Sequence, residues 1–237
     1  MVDHFMTLLN HLNLDKVFII RHDWGMKPAS RIALYEPERT LGLVLLSAAY
    51  MPPSIFDLDQ AIVNSAAYCG YDALGYWKFF DSDDAATIIE NNLESFIDLV
   101  YASNTTLFKT EFTSTGKMRQ WLINKYRTDR AFYMTDNYYN IVRQYLTKAM
   151  QPKLNWYRST IANVDWKDEK NIDPTIRRPI LFMRGKQIDI CHETSLPKQN
   201  SFTPDIEIID FDTGHWLMEE QPGAINQAIE EWIKKIL

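Results

Sequence analysis

Hydrophobic residues near the start of the chain are spaced for one helix. Phe5, Leu8, Leu9 and Leu12 recur at intervals of three and four behind Asp3, which predicts an amphipathic helix over the first dozen residues. Val17-Phe18-Ile19-Ile20 is then a short unbroken apolar run, the pattern of a strand buried on both faces of a parallel sheet. Helical spacing returns from about Lys27 to Tyr35, and Leu41 to Ala49 reads as a second buried strand that Pro52-Pro53 stops. From about Tyr50 to Asp165 strand-like runs vanish, aromatics become dense and helical periods dominate. Within that block, Asp81-Ser82-Asp83-Asp84 places caps and acids ahead of Ile88, Ile89, Leu93, Phe96, Ile97 and Val100, which predicts a well-started helix with one apolar face. Strands resume at Pro179 to Met183 and Ile206 to Phe211. Ile225, Ala228, Ile229, Trp232, Ile233 and Ile236 define a closing helix. Strands separated by helices predict an α/β fold with a parallel sheet, into which a helical module is inserted.

Composition narrows the function classes. The 237 residues are 46% hydrophobic and 24% charged, enough for a sizeable core and wrong for a disordered chain. A net charge of −6 without a basic cluster argues against nucleic acid and against anionic membrane surfaces as partners. No apolar run approaches the ~18 residues of a membrane span, and the start lacks a signal-peptide pattern. Two cysteines, Cys69 and Cys191, fit a reducing compartment better than a disulfide scaffold, so a cytoplasmic protein is expected. No metal-ligand spacing is visible, and neither a metal nor another cofactor is expected.

Three junctions carry candidate chemistry. In Ile20-Arg21-His22-Asp23-Trp24-Gly25 a buried strand runs through a nucleophile straight into a helix. Such a sharp turn exposes its central side chain at the carboxyl edge of the sheet and needs small residues two positions to either side. Asp23 also reads as an ordinary helix cap. Asp212-Thr213-Gly214-His215-Trp216 places a histidine between the last strand and the last helix, where a structural role is the commoner one. Arg184-Gly185-Lys186-Gln187-Ile188-Asp189 follows the third strand. All three would lie beyond the carboxyl ends of parallel strands, where open α/β sheets bind ligands. The chain order Asp23, Asp189, His215 is the nucleophile, acid, base order of α/β-hydrolases.

His22-Asp23-Trp24-Gly25, Leu34-Tyr35-Glu36-Pro37-Glu38-Arg39, Leu154-Asn155-Trp156-Tyr157-Arg158 and Gly214-His215-Trp216 together resemble the soluble epoxide hydrolases of the α/β-hydrolase superfamily, over essentially the whole chain. The resemblance implies an α/β-hydrolase-like sheet in residues 1–49 and 166–237 and a helical cap in residues 50–165. It also implies a small hydrophobic epoxide as substrate and a two-step reaction. Asp23 attacks an epoxide carbon to form an ester, assisted by the cap tyrosines Tyr76 and Tyr157; His215, oriented by Asp189, then activates water against it. Trp24 and Trp156 line the pocket. The His-Asp-Trp-Gly elbow is shared with haloalkane dehalogenases, an alternative chemistry.

Four departures from the family pattern point to an impaired relative as a further alternative. Arg21 stands where a small residue is usual, and Met26 where a second Gly or Ala is usual. Gly185 plus three is Ile188, so Asp189 comes one residue late. Asp23 lies so early that the strands and the His-Gly-x-Pro loop that normally precede it have no counterpart, as in an N-terminally truncated member. Four strands are then expected, with an open edge beside Val17 to Ile20 suited to self-association. Eight Gly, about half the usual share, accord with a crowded elbow.

Overall fold

The computed structural model describes residues 1–147, 149–187 and 201–237. They fall into two compact units, one of residues Met1–Ser54 and Asp168–Leu237, the other of Ile55–Lys167.

The first unit is an α/β structure. In chain order it begins with α1 (Val2–His11), β1 (Val17–His22), α2 (Met26–Tyr35) and β2 (Thr40–Leu46). The second unit is helical, with α3 (Leu58–Cys69), α4 (Tyr76–Asp81), α5 (Ala85–Asn91), α6 (Leu93–Val100), α7 (Lys117–Ile123), α8 (Asp136–Leu146) and α9 (Met150–Ile161). After α10 (Trp166–Glu169), the α/β unit resumes with β3 (Ile180–Gly185), β4 (Ile206–Phe211), α11 (Leu217–Glu220) and α12 (Pro222–Ile236).

The four strands pair in parallel in the order β1-β2-β3-β4. Because side chains alternate along a strand, β2 and β3 feed two cores. Leu43, Leu45, Ile180 and Phe182 meet Ala29 and Ala33 of α2 on one face. Val44, Leu46, Leu181 and Met183 meet Leu217, Ile225 and Trp232 on the other. Gly42 makes room there: a Cβ would lie 2.7 Å from the Trp232 ring. The continuous apolar runs are thus explained by burial on both faces. β1 lies at the open edge expected for it, but it is not buried on both faces as its apolar run suggested. It is the edge of the sheet among the described residues, and Ile20 is 51% exposed. The predicted first helix forms, yet of its residues only Met6 is buried, while Phe5 and Leu8 are exposed.

The helical unit shows a second difference. The apolar stripe from Ile88 to Val100 belongs to two helices, separated at Asn92, whose side-chain amide donates to the Ile88 carbonyl at 2.8 Å. That local bond competes with the helix's own ladder. Asp84 caps nothing; its carboxylate is paired with the Arg119 guanidinium. Cys69 is disulfide-bonded, so cysteine usage gives no argument for a reducing compartment. Among the described residues no helix is long and apolar enough to cross a membrane.

Candidate active site

The carboxyl ends of β1 and β4 bring together two of the expected residues. β1 ends at His22, and the chain turns through a single 3-10 turn, Asp23–Gly25, into α2. Asp23 takes φ 47°, a left-handed conformation that costs a non-glycine residue about 1–3 kcal/mol. Neither the 3-10 turn nor α2 has a side-chain cap, so Asp23 does not serve as the ordinary helix cap that its position also suggests. The strain instead lifts its side chain, 38% exposed, out of the turn. Trp24 occupies the same turn and is half-buried.

Arg21 does not block this elbow. Its guanidinium is buried and donates to the carbonyls of Leu46, Ala48 and Asp23, tying the end of β1 to the end of β2. Burial pushes its pKa down to about 9, against the pull of the Asp23 charge, so it stays protonated at neutral pH. Room for its stem comes from Gly25, where a Cβ would lie 3.1 Å from the Arg21 Cβ. The pair that must be jointly small is therefore residues 21 and 25, and glycine at 25 alone suffices. Met26 is likewise accommodated, almost fully buried at the start of α2.

His215 stands on the loop after β4 with its Nε2 3.6 Å from Asp23 Oδ1, slightly beyond a direct hydrogen bond. Burial lowers its pKa, opposed by the Asp23 carboxylate. Its main chain is fixed by two groups to which the sequence assigns no role. Ser47 Oγ donates to the His215 carbonyl at 2.5 Å, and His22 Nε2 lies 2.9 Å from the same oxygen. A carbonyl only accepts, so His22 carries its proton on Nε2. The His22 ring also packs 4.6 Å from the His215 ring and 5.1 Å from Trp216. Burial first, and then the neighbouring His215, push the His22 pKa down to about 4.

Glu220, at the end of α11, accepts from the Gly214 amide with both oxygens at 3.0 Å and from the Trp216 amide as well. Burial raises its pKa against those hydrogen bonds. On its other side the His215 loop lies on Gly185, where a Cβ would be 2.1 Å from the Gly214 carbonyl oxygen. Ser47 and Glu220 carried no signal in the sequence, because single polar residues outside a motif look like any others, while His22 stood inside the His22-Asp23-Trp24-Gly25 motif without a role of its own.

The helical unit holds the other expected residues. Tyr76 on α4 and Tyr157 on α9 are partly buried, their ring centroids 5.7 Å apart and nearly perpendicular, among Trp77, Phe80 and Phe112. The Leu154-Asn155-Trp156-Tyr157-Arg158 motif has a local explanation. Leu154 is buried, and Arg158 donates to the Phe80 and Ser82 carbonyls at the end of α4, which sets Tyr157 against Tyr76. Trp156 is partly buried on α9. Asp189 and Ile188 lie outside the described residues. Among the described residues no group of three or more His, Cys, Asp and Glu is arranged to hold a metal ion.

Bifunctional epoxide hydrolase 2 of Rattus norvegicus is 22% identical over 237 residues, 98% of this chain and 42% of that protein. The chain thus spans about two fifths of the length of that relative. Epoxide hydrolase 2 of Siraitia grosvenorii is 34% identical over 98 residues, 39% of this chain and 31% of that protein. Among solved structures, epoxide hydrolase A from Mycobacterium thermoresistibile superposes with a TM-score of 0.77 at 20% identity, covering 97% of this chain and 73% of that one. An epoxide hydrolase from Vigna radiata gives 0.74 at 18% identity, covering 99% and 74%. At such identities the structural likeness is one of fold. A family model described as alpha/beta hydrolase fold matches residues 1–222, and the chain belongs to that family.

Proposed function

We propose that the protein hydrolyses epoxides to vicinal diols through an ester on Asp23. The observation that carries this reading is a strained Asp23 (φ 47°) with the His215 Nε2 at 3.6 Å from its carboxylate. Asp23 attacks an epoxide carbon, the C–O bond of the ring breaks, and its electron pair stays on the oxygen. The hydroxyls of Tyr76 and Tyr157 hydrogen-bond that oxygen and supply its proton. Water then attacks the ester carbonyl carbon as His215 takes its proton; the ester C–O bond breaks with that proton passing from His215 to the departing diol oxygen, and the remaining acid proton returns to the tyrosine, which restores the Asp23 carboxylate. Asp189 is the proposed acid that orients His215, and Trp24 and Trp156 bound the substrate. Residues 50–165 are the proposed helical cap module and residues 1–49 and 166–237 the proposed hydrolase core. The names of the relatives support a small epoxide as substrate.

Single turnover of styrene oxide in ¹⁸O-labelled water tests the reading. The label is expected in the Asp23 carboxylate, and Asp23→Ala is expected to lose turnover by at least ~10⁴-fold. Turnover that leaves Asp23 unlabelled, or that survives in the alanine variant, refutes it. Release of halide from a haloalkane would assign the same elbow to dehalogenation instead.

The open edge of β1 supports a second reading, pairing with another copy of the chain. Ile20 is half-exposed there, and an unpaired strand edge is a template for association. Sedimentation of the intact chain and of Ile20→Lys tests it; a monomer at micromolar concentration ends it.

A further inference from the structure

Glu220 joins the two amides that flank His215. α11 is anchored by Leu217, which is fully buried among the side chains of β2, β3 and α12. From that anchored turn the Glu220 amide donates to the Trp216 carbonyl at 3.0 Å, while its carboxylate turns back to accept from the Gly214 and Trp216 amides. Residues 214 to 220 therefore close on themselves, with His215 at the turn. The His215 carbonyl is fixed independently, by Ser47 and His22 from the ends of β2 and β1. Without Glu220, His215 would be tethered from one side of its peptide only.

We propose that Glu220 is a positioning residue for His215, needed for the water-activating half of the reaction and dispensable for the attack by Asp23. This inference rests on the ester mechanism proposed above, and the two halves have different kinetic signatures. When ester formation is followed by its hydrolysis, kcat/KM reports formation alone, whereas slowing hydrolysis lowers kcat and KM together. A histidine displaced by about 1 Å loses up to ~10²-fold in rate.

The test compares the wild-type chain with Glu220→Ala and Glu220→Gln on styrene oxide. Glu220→Ala is expected to lower kcat by about 10- to 100-fold with kcat/KM unchanged. The ester is expected to accumulate, visible in the intact mass as one added substrate molecule. Glu220→Gln keeps a carbonyl acceptor at the same reach and recovers most of the loss. In substrate-free protein, hydrogen exchange at the Gly214 and Trp216 amides is expected to accelerate at least about 10-fold in Glu220→Ala and to return toward wild type in Glu220→Gln. Should Glu220→Ala fail to fold, Glu220→Asp takes its place, since it keeps the charge and loses the reach. The inference is overturned if kcat and kcat/KM fall in parallel, if neither falls, or if amide exchange is unchanged. A wild-type chain that forms no ester refutes the proposed reaction instead, and the exchange comparison still decides whether Glu220 holds the loop.

Discussion

The two places where candidate side chains meet are held by opposite means. Asp23 and His215 are placed by the backbone: a left-handed residue at 23, and a loop whose carbonyl and amides are gripped by Ser47, His22 and Glu220. Tyr76 and Tyr157 are placed by aromatic edges and by one arginine that ties α9 to the end of α4. Backbone placement is precise but leaves little tolerance, since each clamp has a single geometry. Aromatic packing is distributed over several rings, so removing one polar atom should leave the arrangement intact.

That contrast gives its largest expected effect at Asp23. Asp23→Gly should abolish turnover, yet relieving φ 47° should raise stability by about 1 kcal/mol, or about 2–4 °C in Tm, read by calorimetry. A fall in Tm would show that Asp23 is not strained. At the tyrosines the expectation reverses in kind. Tyr157→Phe and Tyr76→Phe should each slow ester formation by ~10²- to 10³-fold, the cost of one lost donor, with Tm unmoved in the same scan. Loss of stability in either variant would mean that hydroxyl bonds, and not ring packing, hold that pair.

Acid should also separate the two places. The His22 pKa is lowered, from an ordinary value near 6.5 to about 4, so the unfolded chain binds the proton more readily throughout that interval. Stability should fall as pH drops from about 6.5 to about 4, by around 3 kcal/mol at ~1.4 kcal/mol per pKa unit. The same denaturant titration on His22→Gln should show a shallower loss. The smallest effect is expected at Gly25. Gly25→Ala sets a methyl 3.1 Å from the Arg21 Cβ and should cost about 1–2 kcal/mol, and in an Arg21→Gly background, where that Cβ is gone, the same substitution should cost less. Strict additivity of the two substitutions would deny that residues 21 and 25 share one space.

How much was legible follows the same division. The four strands, the turn at Asp23 and the His215 loop were readable because each rests on local signals: apolar runs, a Gly at 25, a Gly-His after a strand. Arg21 read as an obstacle because a sequence shows residue types and not the space between them, which glycine at 25 provides. The break at Asn92 was hidden by an apolar stripe that continues through it, while the side-chain bond that makes the break is local and polar. The open edge beside Val17 to Ile20 was expected from the early position of Asp23, but the run Val17 to Ile20 itself reads as buried on both faces and does not record the exposure of Ile20. Glu220 was unreadable for a related reason: its partners are peptide amides, which every residue possesses.

Gly185 sets a constraint of a different sort. With no room for even a methyl group, the end of β3 and the His215 loop touch as bare peptide. A library randomised at this codon and selected for folded, active protein should return glycine alone. Neighbouring positions without a proposed catalytic or positioning role should accept other residues, so this contact limits any new geometry between β3 and His215.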